Sequence, residues 1–315
     1  MEHARAVVIP AANEIVLREV VLTPAGDNDV TIETCFTSIS AGTERMLLAG
    51  QMPHPMLQFP VIPGYETVGR IIATGSNVPR EMMGTMVYVG GARCYEGVNP
   101  AWGGQSSHLH ADYTRVVTLD GMDPTHGVLL ALAATALHGV DIAGDITGKR
   151  VLILGQGPVG QIAARIALAR GAEVVVVDRV LSRLALSEGS QIVDVRTESL
   201  TEQKIAPCEV IIEASGSMAA LTSTLGTLAT NGRVVLLGYY DEIHLPYMPL
   251  FLKQAQLLTS KEWAPGDLQR CRDMIVNGEL DVAPLLTHTQ HIDNLQAAYQ
   301  VALSDLNCLK LLLTW

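Results

Sequence analysis

The chain is short of several residue patterns that mark special classes of protein. Its five cysteines (Cys35, Cys94, Cys208, Cys271 and Cys308) are far apart and form no Cys-x-x-Cys pair. That spacing argues against a disulfide framework and a structural zinc site, and suits reduced, independent thiols. Positive charge is scarce: 21 Lys and Arg stand against 32 Asp and Glu, a net charge of −11. This balance argues against nucleic acid and anionic membrane surfaces as general partners, while leaving room for a locally basic pocket. Aromatic residues reach only 4%, against 48% hydrophobic residues in all, so the cores are aliphatic. The start of the chain carries Glu2, Arg5 and Glu14 and no apolar h-region, so no signal peptide is expected. The longest charge-free apolar stretch, near 127–140, is too short and too interrupted by histidine and threonine to predict a membrane span. These features predict a cytoplasmic protein without an integral membrane segment. Its 315 residues suffice for two domains with cores of their own.

The stretch 151–178 is the most informative one present. An apolar strand at 151–154 runs into Gly155-Gln156-Gly157-Pro158-Val159-Gly160, then a helix-forming segment at 161–170, then a second apolar strand ending in Asp178. Gly155 lets the chain turn sharply, Gly157 lets a pyrophosphate approach the backbone, and Gly160 lets the helix pack close to the strand. The helix N-terminus offers unpaired N–H groups and a positive dipole end to phosphates. Asp178, at a strand end 18 residues beyond Gly160, is placed to accept from an adenosine ribose. The whole arrangement predicts dinucleotide binding. A glycine loop that only turns the chain is the plainer alternative.

In front of this stretch, short runs at 5–20, 30–35, 67–73, 85–89 and 114–119 read as strands separated by turn signals, a β-rich, barrel-like pattern. The texture changes near residue 122. A helical stretch at 127–140 leads into βαβ alternation, with strands at 210–213, 232–238 and 257–260. Helices at 268–277 and 294–304 and a strand at 309–313 close the chain. The expected division is 1–122 as a substrate domain, 123–265 as a dinucleotide-binding domain and 266–315 as a return segment.

That order resembles the medium-chain dehydrogenase/reductase superfamily, and the resemblance covers essentially the whole chain. Pro63-Gly64-Tyr65-Glu66-Thr67-Val68-Gly69 is similar to its Pro-Gly-His-Glu-x-x-Gly signature, and Ala41-Gly42-Thr43-Glu44 to its Cys-Gly-Thr-Asp signature. The resemblance implies an α/β fold, with a GroES-like β-rich domain and a Rossmann domain holding a doubly wound parallel sheet. It also implies a homodimer. In zinc-dependent members, positions matching Ala41, Tyr65 and Ala131 hold the catalytic metal. Alanine has no donor atom and a lone tyrosine is a poor ligand, so no protein-bound metal is expected. Further segments, among them Ser40-Ala-Gly-Thr-Glu-Arg, Lys261-Glu-Trp and Cys308-Leu-Lys-Leu-Leu-Leu-Thr-Trp315, resemble the bacteriochlorophyllide dehydrogenases within that superfamily. This closer likeness implies oxidation of a hydroxyethyl group on a chlorin-type tetrapyrrole.

Alcohol oxidation without a metal needs a side chain that takes or relays the hydroxyl proton. Thr43 matches the relay hydroxyl of the family, or caps a turn. Glu44 and Glu66 are candidate bases, or are paired with Arg45 or Arg70. Tyr65 replaces a ligand and so should face the site, while His138, at a helix end, is a further candidate base. His54 and His108 are lesser loop candidates. Six of the eleven methionines lie between residues 46 and 86. Of these, Met46, Met52 and Met56 are candidates to line a flat apolar slot, with ordinary core filling as the alternative. Trp102 and Trp263 offer stacking surfaces that no spacing supports. Asp178 favours NAD by repelling a 2′-phosphate, although Arg179 beside it tolerates one. Ser215, Gly216, Gly238 and Tyr239 end parallel strands, where open α/β sheets bind ligands. The competing readings are a zinc-independent quinone or enone reductase and a non-catalytic dinucleotide sensor.

Overall fold

The computed structural model describes residues 2–53, 57–196 and 205–315. The chain forms two compact units, one comprising Met1–Ala131 with Leu286–Trp315 and the other Leu132–Leu285. Both boundaries fall later than the sequence suggested. The turn of helix Pro124–Leu129 packs on the strands Asp29–Ser38, Thr67–Thr74 and Met86–Val89, and so stays with the first unit. The helix Asp267–Val276 stays with the second, because Arg270 bonds both Asp141 and Asp267 there.

The first unit is built on a seven-stranded sheet. Its path runs Leu286–His291, Lys310–Thr314, Asp29–Ser38, Thr67–Thr74, Met86–Val89 and Val116–Thr118, with His108–Asp112 also paired to Asp29–Ser38. Lys310–Thr314 lies antiparallel to Asp29–Ser38 with Leu312 opposite Ser38, which brings Lys310 to the end of that strand. Inward-facing Val30, Ile32, Ile71, Val87 and Leu109 make an aliphatic core, following the period-two alternation of a sheet with one covered face. The strand His108–Asp112 was hidden by its histidines. Only Leu109 and Ala111 mark its inner face, although His110 is buried too. The helix Ala41–Leu48 was also not foreseen, since Gly42 and Thr43 in its first turn favour other conformations. Burial of Glu44 and Leu47 on one face holds it.

The second unit carries a six-stranded sheet in the order Gln191–Asp194, Glu173–Asp178, Arg150–Leu154, Cys208–Glu213, Leu228–Leu236, Gln256–Thr259. All of its pairings are parallel. This is the doubly wound Rossmann order the family resemblance implied. Val174 to Val177 are all fully buried without alternation, the pattern of a parallel sheet covered on both faces. Each such side chain contributes roughly 1.5–3 kcal/mol of transfer free energy. The helical segment Pro124–Ile142 has 19 residues and is apolar enough to cross a membrane by length and composition, longer than the sequence pattern suggested. Its Leu129, Leu130, Ala133, Ala134, Leu137 and Val140 are instead fully buried in the fold, which accounts for a helix that is apolar all round.

Candidate active site

In the second unit, the expected cofactor residues gather at the C-terminal ends of the strands. Gly155 follows Arg150–Leu154 in a left-handed conformation (φ 91°), and a Cβ there would meet the Ser215 backbone at 2.7 Å. A Cβ on Gly160 would lie 1.9 Å from the Gly155 carbonyl oxygen, so only glycine lets the helix Pro158–Ala169 start against the loop. Gly157 faces open space, with nothing within 4 Å of an added Cβ, and precedes Pro158 at the first helical position. Room over that N-terminus is what a pyrophosphate needs. Asp178 is half-buried, and its carboxylate accepts from the Gln156 N–H at 2.6 Å and from the Arg179 and Val180 N–H groups at 2.6 and 2.8 Å. The acid thus ties the glycine loop to the turn after the second strand. Glu213 does the same for the next loop, accepting from the Ser215 N–H at 2.7 Å and the Gly216 N–H at 3.3 Å. Burial pushes the Glu213 carboxyl up, against those hydrogen bonds. Leu237 precedes Gly238, and exposed Tyr239 follows it.

In the first unit, Thr43, Glu44, Tyr65 and Glu66 come together around the N-terminus of helix Ala41–Leu48. The Tyr65 hydroxyl lies 2.5 Å from Ser40 Oγ and 3.3 Å from Thr43 Oγ1. Burial, then the neighbouring Glu66 charge, hold the Tyr65 phenol well above its ordinary pKa of 10, against the hydrogen bonds of Ser40 and Thr43. Thr43 is half-buried and Gly42 beside it is exposed, so this hydroxyl group of three opens outward at the helix start.

Behind it lie two buried carboxylates. Glu44 accepts from Gln105 Nε2 at 3.0 and 2.9 Å, from the Ser40 N–H at 3.1 Å and from the Tyr299 hydroxyl. Burial raises its pKa to about 7, opposed by the Tyr299 and Ser40 hydrogen bonds and the Lys310 charge, and reinforced by Glu66. Glu66 accepts from Ser38 Oγ and pairs with Lys310 Nζ at 2.5 Å. The pair is 1% and 3% exposed. Neither Arg45 nor Arg70 is its partner, contrary to expectation. Arg45 donates to the Leu303 carbonyl and Arg70 to the Gly84 carbonyl at 2.8 Å, because the return strand delivers Lys310 to the buried side instead.

Trp102 completes this face. Its ring meets Tyr65 edge-on, with centroids 5.3 Å apart and planes at 62°. Its backbone has φ 72°, a conformation that costs a bulky residue about 1–3 kcal/mol. The Trp102 carbonyl accepts from the Ala92 N–H at 2.8 Å, and a Cβ on Gly91 would come within 2.1 Å of that oxygen.

Other expected residues lie elsewhere. His138 belongs to the second unit, where Asp267 is 3.8 Å away. His108 bonds Ser107 Oγ at 3.1 Å and lines a cavity of about 470 Å³ with Cys35 and Trp315, apart from the hydroxyl group. Met52 is buried among Ile9, Leu47, Val61 and Ala101, with Met46 packed beside it, as core filling predicts. Met82 packs on a different core and Met83 is half exposed, so the methionines do not converge on one slot. His54 and Met56 lie outside the described residues. Five partners escaped the sequence: Ser38, Ser40, Gln105, Tyr299 and Lys310. Only Lys310 carried a signal, as the single charge within the apolar run 309–313. Among the described residues, no three of His, Cys, Asp and Glu converge as metal ligands.

Residues 26–120 match the alcohol dehydrogenase GroES-like domain, and residues 158–277 match the zinc-binding dehydrogenase family. A β-rich unit with a glycine-signature turn, joined to a parallel-sheet unit with an open helix N-terminus, is the frame of a dehydrogenase. The chain belongs to the medium-chain dehydrogenase/reductase family of zinc-type alcohol dehydrogenases. It is similar to the 2-desacetyl-2-hydroxyethyl bacteriochlorophyllide A dehydrogenase of Cereibacter sphaeroides, 32% identical over 318 residues and 98% of each chain. The protein of the same name from Rhodobacter capsulatus is 33% identical over 298 residues, 93% of this chain and 92% of its own. Two solved structures share the fold at a TM-score of 0.88. One is a short chain alcohol dehydrogenase from Escherichia coli with NADH (20% identity, 99% of each chain). The other is a putative zinc-binding dehydrogenase from Sinorhizobium meliloti with NADP (22% identity, 100% of each chain).

Proposed function

We propose that this chain is a cytoplasmic, NAD-dependent dehydrogenase that oxidises the hydroxyethyl side chain of a bacteriochlorophyllide to an acetyl group, in bacteriochlorophyll biosynthesis and without catalytic zinc. The observation that carries the substrate is the likeness, over nearly the full length, to two dehydrogenases of that name. The zinc that the family name implies does not fit the residues here. The matching positions hold two methyl groups, Ala41 and Ala131, and a phenol, Tyr65, that burial keeps protonated. The nearby carboxylates are already engaged, Glu66 by Lys310 and Ser38, and Glu44 by Gln105, Tyr299 and Ser40. A tetrahedral site needs three such donors free to converge.

NAD, when bound, supplies the hydride acceptor. Gly155, Gly157, Pro158, Val159 and Gly160 would cradle its pyrophosphate, Asp178 and Arg179 would face its ribose, and Ser215, Gly216, Gly238 and Tyr239 would line the remaining strand ends. The Asp178 carboxylate, already fixed by three N–H groups, presents negative charge where NADP would place a phosphate, and so favours NAD. In the first unit, Tyr65 takes over part of the metal's task. Its neutral hydroxyl bonds the alcohol oxygen and receives the leaving proton while passing its own to Thr43 Oγ1, which releases a proton in turn, with Ser40 Oγ holding the phenol in place. From Thr43 the proton reaches water at the exposed helix start. Glu44 and Glu66 hold this group from behind, as positioning residues. The exposed Tyr247, Met248, Phe251 and Leu252, on the helix that leads in sequence into the edge strand Gln256–Thr259, support a homodimer.

The test is an assay of chelator-treated protein with NAD or NADP and the hydroxyethyl bacteriochlorophyllide, following the red shift of the macrocycle. Oxidation with NAD preferred over NADP and no gain from added zinc is the expected result. A zinc requirement would overturn the metal-free site. Turnover only of quinones or enones with reduced cofactor would assign a reductase, and cofactor binding without any turnover a sensor.

A further inference from the structure

We propose that Trp102 determines substrate specificity by presenting its indole as a flat wall beside Tyr65, against which a conjugated macrocycle lies with its carbinol at the Tyr65 hydroxyl. The inference rests on the tetrapyrrole reading above and assigns a residue to it. Three features separate this tryptophan from ordinary core filling. Its backbone is left-handed, at φ 72°, between Ala101 and the left-handed Gly103, a position where glycine or asparagine is at ease and an aromatic residue is not. The indole is only partly buried. One side packs on the apolar cluster of Ile9, Leu47, Met52 and Val61, and its edge contact is to the ring of Tyr65. Its N–H has no hydrogen-bond partner among the described residues, whereas a core tryptophan usually pairs it, as Trp315 does with Thr37 Oγ1 at 2.9 Å. A planar side chain held at backbone cost, backed by aliphatic residues and flanking the reacting hydroxyl, suits a planar π-system more than a small aliphatic alcohol.

The test compares wild type with Trp102→Leu, Trp102→Phe and Trp102→Gly. Binding of the hydroxyethyl bacteriochlorophyllide is read from induced circular dichroism in its visible bands, and turnover with NAD is measured alongside. Loss of the stacking wall in the Leu and Gly variants is expected to raise Kd and KM about tenfold or more with little change in kcat, while Phe keeps most of the affinity. NADH binding to the second unit should not change. Glycine adopts the left-handed backbone freely, so the Gly variant separates loss of the indole from loss of the loop. A Leu or Gly variant that binds and oxidises the macrocycle as wild type does would overturn the proposal and leave the functional reading intact. So would an equal loss against 2-butanol, which would mean Trp102 acts only through Tyr65. If wild type neither binds nor oxidises the macrocycle, the functional reading falls, and this proposal with it.

Discussion

The glycine loop of the second unit and the hydroxyl group of the first are assembled in opposite ways. The loop is local: Gly155, Gly157, Gly160 and Asp178 sit within one βαβ stretch, and three of the four act through what they lack, a side chain. The hydroxyl group is long-range. Tyr65 and Thr43 depend on Ser40, on Gln105 and on two residues of the return segment, with Tyr299 bonding Glu44 across 255 residues of sequence. The loop is therefore robust to change elsewhere, whereas the hydroxyl group inherits every weakness of its distant supports.

Three substitutions press on that contrast, each with NADH affinity as the internal reference. Lys310→Met should have the largest effect, because it leaves Glu66 buried without its counter-charge. A loss of about 3–5 kcal/mol in denaturant unfolding is expected, with much of it recovered by Lys310→Arg. A loss no larger than that of a surface pair would show that the two groups are solvated and the contrast overstated. Tyr65→Phe comes next. Removing the hydroxyl should lower kcat by about 10²–10³-fold while NADH binds as before; unchanged turnover would take Tyr65 out of the chemistry. Glu44→Gln is the mildest. The folded chain holds this proton more tightly than the unfolded one, with the pKa raised from 4.5 to about 7. Its contribution is thus fully present below about 4.5 and lost as pH rises to about 7. The wild-type melting temperature should fall across that interval relative to the variant, and parallel curves would mean Glu44 does not titrate there.

The same contrast explains what could be read in advance. The glycine loop, its helix and the two flanking strands were legible because each rests on neighbours in sequence, and so were most of the parallel strands, whose apolar runs need only burial. Tyr65 and Thr43 were legible as candidates through signature motifs. Their working partners were not. Ser38 and Ser40 look like ordinary strand-end and turn residues, Tyr299 like one apolar position of an amphipathic helix, and the strand register that seats Lys310 beside Glu66 exists only in three dimensions. The alternative that paired Glu66 with Arg45 or Arg70, rather than making it a base, does not hold for that reason. Proximity in sequence stood in for proximity across a sheet.

The return strand also has a bearing on how the molecule forms. The second unit is one continuous span, Leu132–Leu285, whereas the first is split on either side of it and its sheet is joined by Lys310–Thr314 lying against Asp29–Ser38. Closing contacts over so long a separation is slow, since the chain between them must be ordered or looped first. The nucleotide-binding half can thus be complete while Glu66 still waits, unpaired, for its lysine. The buried support of the hydroxyl group is then the last part of the molecule to close, and a finished parallel sheet beside an unfinished first unit is the expected appearance of an incomplete fold.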